Sequence, residues 1–185
     1  DIEGILIRSR NYKEEISITN YSEKLNNWAD FIIGSCDYFK RFHNTDISNV
    51  SVDIESDLPI GIGLSSSAAT CVSMIRALSN LFEINLDQST MVKIAHCIEN
   101  DFVGVGGGVM DQFVSVYGAT DKALFLNTKN NDYKLIPLFD DYNFQIIDSG
   151  VKRILSDSAF NDRKEMCNQS AEKMGLKYLC NKDKI

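Results

Sequence analysis

Lysine is missing from a long central stretch of this 185-residue chain, with none between Lys40 and Lys93. That gap excludes the Gly-x-x-x-x-Gly-Lys-Ser/Thr loop of the large NTPase class, whose lysine meets the phosphates. Histidine is scarce: His43 and His96 stand alone, and no Cys/His pair has the spacing of a zinc site. His96 falls in a helical run, where a packed or partly exposed ring is expected rather than a catalyst. No apolar run approaches the roughly 18 residues of a membrane span, and no leader pattern opens the chain. The expectation is a soluble, cytoplasmic, monomeric protein with no membrane partner. Positive charge is also in deficit, with 19 Lys and Arg against 26 Asp and Glu, a net charge of -7. A nucleic acid is therefore not expected as partner, since nothing offsets phosphate repulsion over a broad surface. The five cysteines, Cys36, Cys71, Cys97, Cys167 and Cys180, are odd in number and widely spaced, and read as reduced thiols rather than a disulfide framework. With 44% hydrophobic residues the chain can bury one good core, in one domain or one and a piece. It begins with Asp1 and ends without a closing motif, so both ends are expected to be cut.

What the chain does contain is Pro59-Ile60-Gly61-Ile62-Gly63-Leu64-Ser65-Ser66-Ser67-Ala68-Ala69. Val50, Val52 and Ile54 precede it at period two, as in a half-buried strand. Ala68, Ala69, Val72, Ile75 and Leu78 follow it at helical spacing. Strand, glycine turn and serine-rich helix start bring free N–H groups and the positive end of a helix dipole together, which makes an anion site. Gly61 and Gly63 let the backbone approach a phosphate, and the serines add hydroxyls and a possible metal ligand. An ordinary turn with an N-cap has the same spacing. A second cluster, Glu99-Asn100-Asp101-Phe102-Val103-Gly104-Val105-Gly106-Gly107-Gly108-Val109-Met110-Asp111-Gln112-Phe113, lies downstream.

The remaining elements are read from periodicity. Ile5-Leu6-Ile7 and 15–19 are predicted strands with a turn at 9–13. A helix is predicted over 22–42, capped by Ser22, with Leu25, Trp28, Ile32, Phe39 and Phe42 on its core stripe. A strand over about 49–56 leads into the glycine-serine loop. Asp87 is expected to cap a helix carrying Met91, Ile94, Ala95 and Ile98 on one face. Glu99 ends that helix, where a carboxylate opposes the dipole and is compensated by a cation or a metal unless solvent screens it. The glycines at 104–108 leave little side-chain bulk, suited either to a sugar lying on the backbone or to a linker, and the flanking apolar residues favour a packed segment. Met110 to Tyr117 reads as a helix with Asp111 in its first turn, which favours the ionised carboxylate. Strands are expected over 123–127 and 143–149, joined by an exposed region at 130–134 and Pro137. A charged helix follows over 158–174, with Ala159, Met166, Cys167 and Met174 available for packing. The sum is an α+β fold with a mixed sheet layered with helices.

Pro-x-x-x-Gly-Leu-Ser-Ser-Ser-Ala, then a glutamate, then Gly-Gly-Val-Met-Asp-Gln-Phe resembles the GHMP family of small-molecule kinases, and within it the galactokinases. Trp28-Ala29-Asp30-Phe31-Ile32-Ile33-Gly34 is similar to that group's Trp-Ala-Asn-Tyr-Val-x-Gly segment. Val151-Lys152-Arg153-x-Leu155, Ser158-x-Phe160-Asn161-x-Arg163 and Cys167 are similar to the stretch after its central region. The resemblance implies a GHMP-kinase N-terminal-type domain (ribosomal protein S5 domain 2-like) over 1–150, lacking its first motif, and the truncated start of a second α+β domain over 151–185. It implies ATP and magnesium (Mg2+) as cofactors, with phosphoryl transfer to the anomeric hydroxyl of galactose. Pro59, Gly61, Gly63, Leu64, Ser65, Ser66, Ser67 and Ala68 are implied to hold the ATP phosphates, Ser67 and Glu99 the magnesium, and Gly107, Gly108, Asp111 and Phe160 the sugar, with Asp111 as catalytic base. Phe160 stands where many galactokinases carry a tyrosine, which leaves N-acetylgalactosamine and arabinose open as substrates. A non-catalytic sensor of sugar and ATP is the alternative class. The family's N-terminal arginine and Glu-His-x-Asp segment and its C-terminal glycine-rich segment have no match, so the 185 residues alone are expected to be inactive.

Overall fold

Alternating isoleucines make the first strand: Ile5 and Ile7 are fully buried while Arg8 points to solvent. This computed structural model describes residues 4–139, 141, 144–148, 150, 158–177 and 179, with only the backbone described for 158–161. Strand β1 (Ile5–Ser9) pairs antiparallel with β2 (Glu14–Ile18) and parallel with β3 (Val50–Ile54), giving the order β2-β1-β3. The registers are Ile5 with Ile18 and Ile5 with Val50. A parallel pair needs a long crossover, and helix α1 (Asp30–His43) supplies it. The sheet is therefore mixed, as its sequence predicts.

The helix predicted from Ser22 begins only at Asp30. Asparagines divert the preceding backbone: Asn20 Oδ1 accepts from the Ser22 N–H, Asn27 Oδ1 accepts from the Ala29 N–H, and Asn26 is left-handed at φ 57°. Asp30 Oδ1 accepts the Leu25 N–H at 2.7 Å, fixing the entry to α1. Leu25 therefore lies exposed instead of on the core stripe, and Phe42, in the last turn of α1, is exposed as well. Trp28 sits at the edge of the core, stacked on Tyr12 at 4.9 Å with its Nε1 donating to Glu14 Oε2 at 2.7 Å.

Helix α2 (Ser66–Leu81) and helix α3 (Gln88–Cys97) pack against each other, and Asp87 caps α3 by accepting the Thr90 N–H at 2.7 Å, as expected. The chain then widens into a π turn, Ile98–Val103, before helix α4 (Met110–Tyr117). The core joins Ile5 and Ile7 to Ile32, Ile33 and Phe39 of α1, Ile75 and Leu78 of α2, Val92 and Ile94 of α3, and Phe113 and Val116 of α4.

Two strand expectations fail. The polar 130–134 stretch contributes to β5 (Asp132–Pro137), which forms a hairpin with β4 (Lys122–Asn127), while 144–148 carry no strand; Asn143 and Ser149 lie outside the described residues. The reason is cross-strand packing: Tyr133 opposite Leu126 and Leu135 opposite Leu124 share a face, and the Tyr133 ring lies tilted against Tyr117 of α4, with centroids 4.5 Å apart. The chain divides into two compact units, Asp1–Lys152 and Arg153–Ile185. In the second, helix α5 (Ser158–Lys173) buries Ala171, whereas Met166, Cys167 and Met174, expected to pack, are exposed. Among the described residues no helix is long and apolar enough to cross a membrane.

Candidate active site

The glycine-serine loop is tied down at its start, where Asn11 bonds both the carbonyl and the N–H of Ser56, at 2.7 and 2.9 Å. Beyond Pro59 the backbone turns three times through the left-handed region, at Gly61 (φ 77°), Gly63 (φ 85°) and Ser65 (φ 56°). The two glycines are needed for that conformation and not for lack of room, since a Cβ at either would meet nothing within 4 Å. Ser65 is the cap residue of α2, yet no side chain caps the helix. The N–H groups of its first turn are thus left for an anion. Leu64 is half-buried, and Ala68, fully buried, fixes the first turn on the core.

Helices α2 and α3, joined by the short 82–87 connection, run back along each other, and the Cys71 thiol lies 4.0 Å from the Ala95 carbonyl oxygen. One turn earlier on α2 is Ser67, and one turn later on the α3 side is Glu99, so the register sets these two toward the same end of the helix contact. The Cys71 thiol carries the same information. Burial pushes it up to about 12, Ser35 opposes that by hydrogen bonding, and the nearby Glu99 carboxylate raises it further.

Glu99 lies in the π turn, not at a plain helix end, and it is buried rather than screened by solvent. Its backbone carbonyl accepts from the N–H groups of Gly104 and Val105 at 2.9 and 3.1 Å, closing the turn into the glycine run. The Gln112 side-chain amide Nε2 donates to Glu99 Oε2. Glu99 Oε1 faces the glycine run, 3.7 Å from where a Cβ on Gly107 would sit. In that run Gly104 (φ 89°) and Gly106 (φ 70°) are the left-handed pair, while Gly108 opens on free space. Asp111, half-buried, occupies the first turn of α4, next in sequence to Gln112, with its carbonyl accepting from the Ser115 hydroxyl at 2.8 Å.

Ser67 and Glu99 offer oxygen donors, which suit magnesium. Among the described residues no three His, Cys, Asp or Glu side chains converge to cage a metal. A cation that takes its remaining ligands from nucleotide phosphates and water fits such a sparse set. Phe160 lies in α5 with its side chain outside the described residues, so its sugar-side role has no geometry here. A cleft of about 480 Å³ lined by Lys24, Tyr38, Arg41, Cys97 and Phe102, among others, contains none of the predicted site residues. Gln112, which bonds Glu99, is not among the site residues that the resemblance implies, although it stands inside the second glycine segment.

Residues 30–119 match the family described as GHMP kinases N terminal domain. The chain is 39% identical over 180 residues to a galactokinase of Thermotoga petrophila, covering 95% of this chain and 51% of that protein. It is 32% identical over 174 residues to a galactokinase of Thermococcus kodakarensis, covering 94% and 49%. The chain spans about half the length of the curated relatives it matches. In structure it superposes on the Lactococcus lactis galactokinase complexed with galactose, with a TM-score of 0.77 at 23% identity over 92% of this chain and 46% of that one.

Proposed function

We propose that this chain carries the N-terminal domain of a GHMP kinase and that its parent protein transfers the γ-phosphoryl group of ATP to the anomeric hydroxyl of galactose. The observation that carries the reading is the uncapped start of α2 behind a doubly left-handed glycine loop, beside the buried Glu99. The loop residues Pro59, Gly61, Gly63, Leu64, Ser65, Ser66, Ser67 and Ala68 bind the phosphates through backbone N–H groups and hydroxyls. Ser67 and Glu99 hold magnesium, which when bound neutralises phosphate charge. Gly107 and Gly108 let the sugar lie on the backbone, and Asp111 orients its hydroxyl and accepts the proton late, which suffices if the transition state is loose. Phe160, in place of a tyrosine, leaves the sugar less tightly defined than the reaction, so N-acetylgalactosamine and arabinose belong in the same test. The protein acts as a cytoplasmic monomer without nucleic-acid or membrane partners. Residues 1–150 form the ATP-binding domain, and residues 151–185 begin the second domain.

The test is product formation by the full-length parent with ATP and magnesium across galactose, N-acetylgalactosamine, arabinose and glucose, together with Asp111→Asn. Turnover of galactose is expected, with Asp111→Asn binding ATP and sugar normally while turnover falls about 10²–10⁴-fold, the range of a general base. Wild-type turnover in that variant removes Asp111 from the chemistry. Binding of both ligands by the parent without product identifies a sensor instead.

A further inference from the structure

Gln112 is one of the largest fully buried side chains of the fold, at 1% exposure, and is polar where the other buried side chains of α4, Phe113 and Val116, are apolar. Its Nε2 donates to Glu99 Oε2, and its own Oε1 is buried without a hydrogen-bond partner. An unsatisfied buried carbonyl is destabilising in itself, and what offsets it is the bond that the Gln112 amide makes to the buried Glu99 carboxylate. The side chain's selective value therefore lies in what its amide does to Glu99. That carboxylate arises from a π turn, a backbone form concentrated at functional sites. The same turn of α4 carries Asp111, so one amide links the positions of both acidic groups.

We propose that Gln112 is a positioning residue: its amide fixes one carboxylate oxygen of Glu99 and thereby presents the other, Oε1, toward the glycine run as a ligand for a divalent cation. The inference deepens the kinase reading and rests on it for the cation. It also gives the unpaired Gln112 Oε1 a reason, since an amide that commits its nitrogen to Glu99 leaves its oxygen wherever packing puts it. Gln112 touches no reacting atom in this scheme. Its effect passes through Glu99, as outer-shell partners act on metal ligands, where their loss typically weakens metal binding or activity about 10–100-fold.

The experiment uses the full-length protein and Mn2+ as probe, titrated in the presence of ADP and followed by the electron paramagnetic resonance of free Mn2+. The variants are Gln112→Met, which keeps side-chain volume while deleting both the donor and the unpaired acceptor, Gln112→Glu and Glu99→Gln. Thermal melting and ADP affinity without metal are measured in parallel. Gln112→Met is expected to melt within a few degrees of wild type, to bind metal-free ADP normally, and to raise the Mn2+ dissociation constant about 10-fold or more. In turnover it should lower kcat at fixed magnesium while the sugar KM stays within about twofold, with excess magnesium restoring part of the loss. Gln112→Glu, which sets two carboxylates together, should not restore wild-type Mn2+ affinity. If Glu99→Gln weakens Mn2+ binding and Gln112→Met does not, the positioning role is overturned while the metal reading stands. If neither variant moves Mn2+ affinity, the assignment of Glu99 to the metal falls, and the role of Gln112 falls with it. A folded Gln112→Met protein that only melts lower would likewise overturn the proposal in favour of a packing role.

Discussion

Gly34→Ala sets two known effects against each other at one position. Gly34 is buried in the middle of α1, where alanine ordinarily stabilises a helix by about 0.5–1 kcal/mol. A Cβ there would lie 2.8 Å from both Ile98 Cγ2 and Phe102 Cδ1, and 3.0 Å from Phe102 Cγ. Ile98 is itself buried, at 2% exposure, so it has little room to retreat. Phe102 is half-buried, and its ring is the part that must move. Overpacking of this kind costs about 1–3 kcal/mol, which exceeds the helix gain. The expected net loss is about 1 kcal/mol, or roughly 2–4 °C in Tm for a folding unit of this size. Ile98 and Phe102 bracket Glu99 in the π turn, so the strain should also reach the site. The assay is urea denaturation and thermal melting of the full-length protein carrying Gly34→Ala, Phe102→Leu and both. The double variant should recover most of the Gly34→Ala loss, giving a coupling energy of about 0.5 kcal/mol or more. A Gly34→Ala protein more stable than wild type would refute the reasoning, because it would mean the π turn yields freely.

Asp87 provides a pH-dependent check on α3. Its carboxylate lies below the usual 3.8, chiefly because the Thr90 N–H and then the Ser89 hydroxyl bond the ionised form. A depressed carboxylate contributes stability above its unfolded value, and that contribution is lost as pH falls through the folded value. Asp87→Ala should therefore melt below wild type at neutral pH, with the gap closing only below about 3.8; a gap independent of pH would show that the cap is not electrostatic. Thiol labelling tests the packing of α2. Cys36 and Cys71, buried and pushed up to about 12, should react with an alkylating reagent only on unfolding, whereas the exposed Cys97 and Cys167 should react in the native protein. Native labelling of Cys71 as fast as Cys167 would mean that the α2–α3 contact opens.

Much of this protein was legible in its sequence because the signals were local. Period-two isoleucines and valines announced β1 and β3, Asp87 announced the start of α3, and Asp111 announced the first turn of α4, since each depends on bonds within a few residues. The glycine-serine loop was equally visible, because glycines mark left-handed turns in residue type, although serine is an ordinary cap and the uncapped start of α2 at Ser65 was not legible. Tertiary structure decided what no local pattern encodes. The turns at Asn20, Asn26 and Asn27 that displace the amphipathic stripe before Asp30 are themselves local, but Tyr133 becomes a strand residue only because Leu126 and Tyr117 meet it from elsewhere in the chain. Glu99 reads as a helix-end carboxylate in sequence, yet packing buries it, turns it into a π turn against Gly34 and hands one oxygen to Gln112. Sequence thus named the acidic groups, and long-range packing alone set which way they face, because burial and amide contacts depend on helices that meet only in the folded chain.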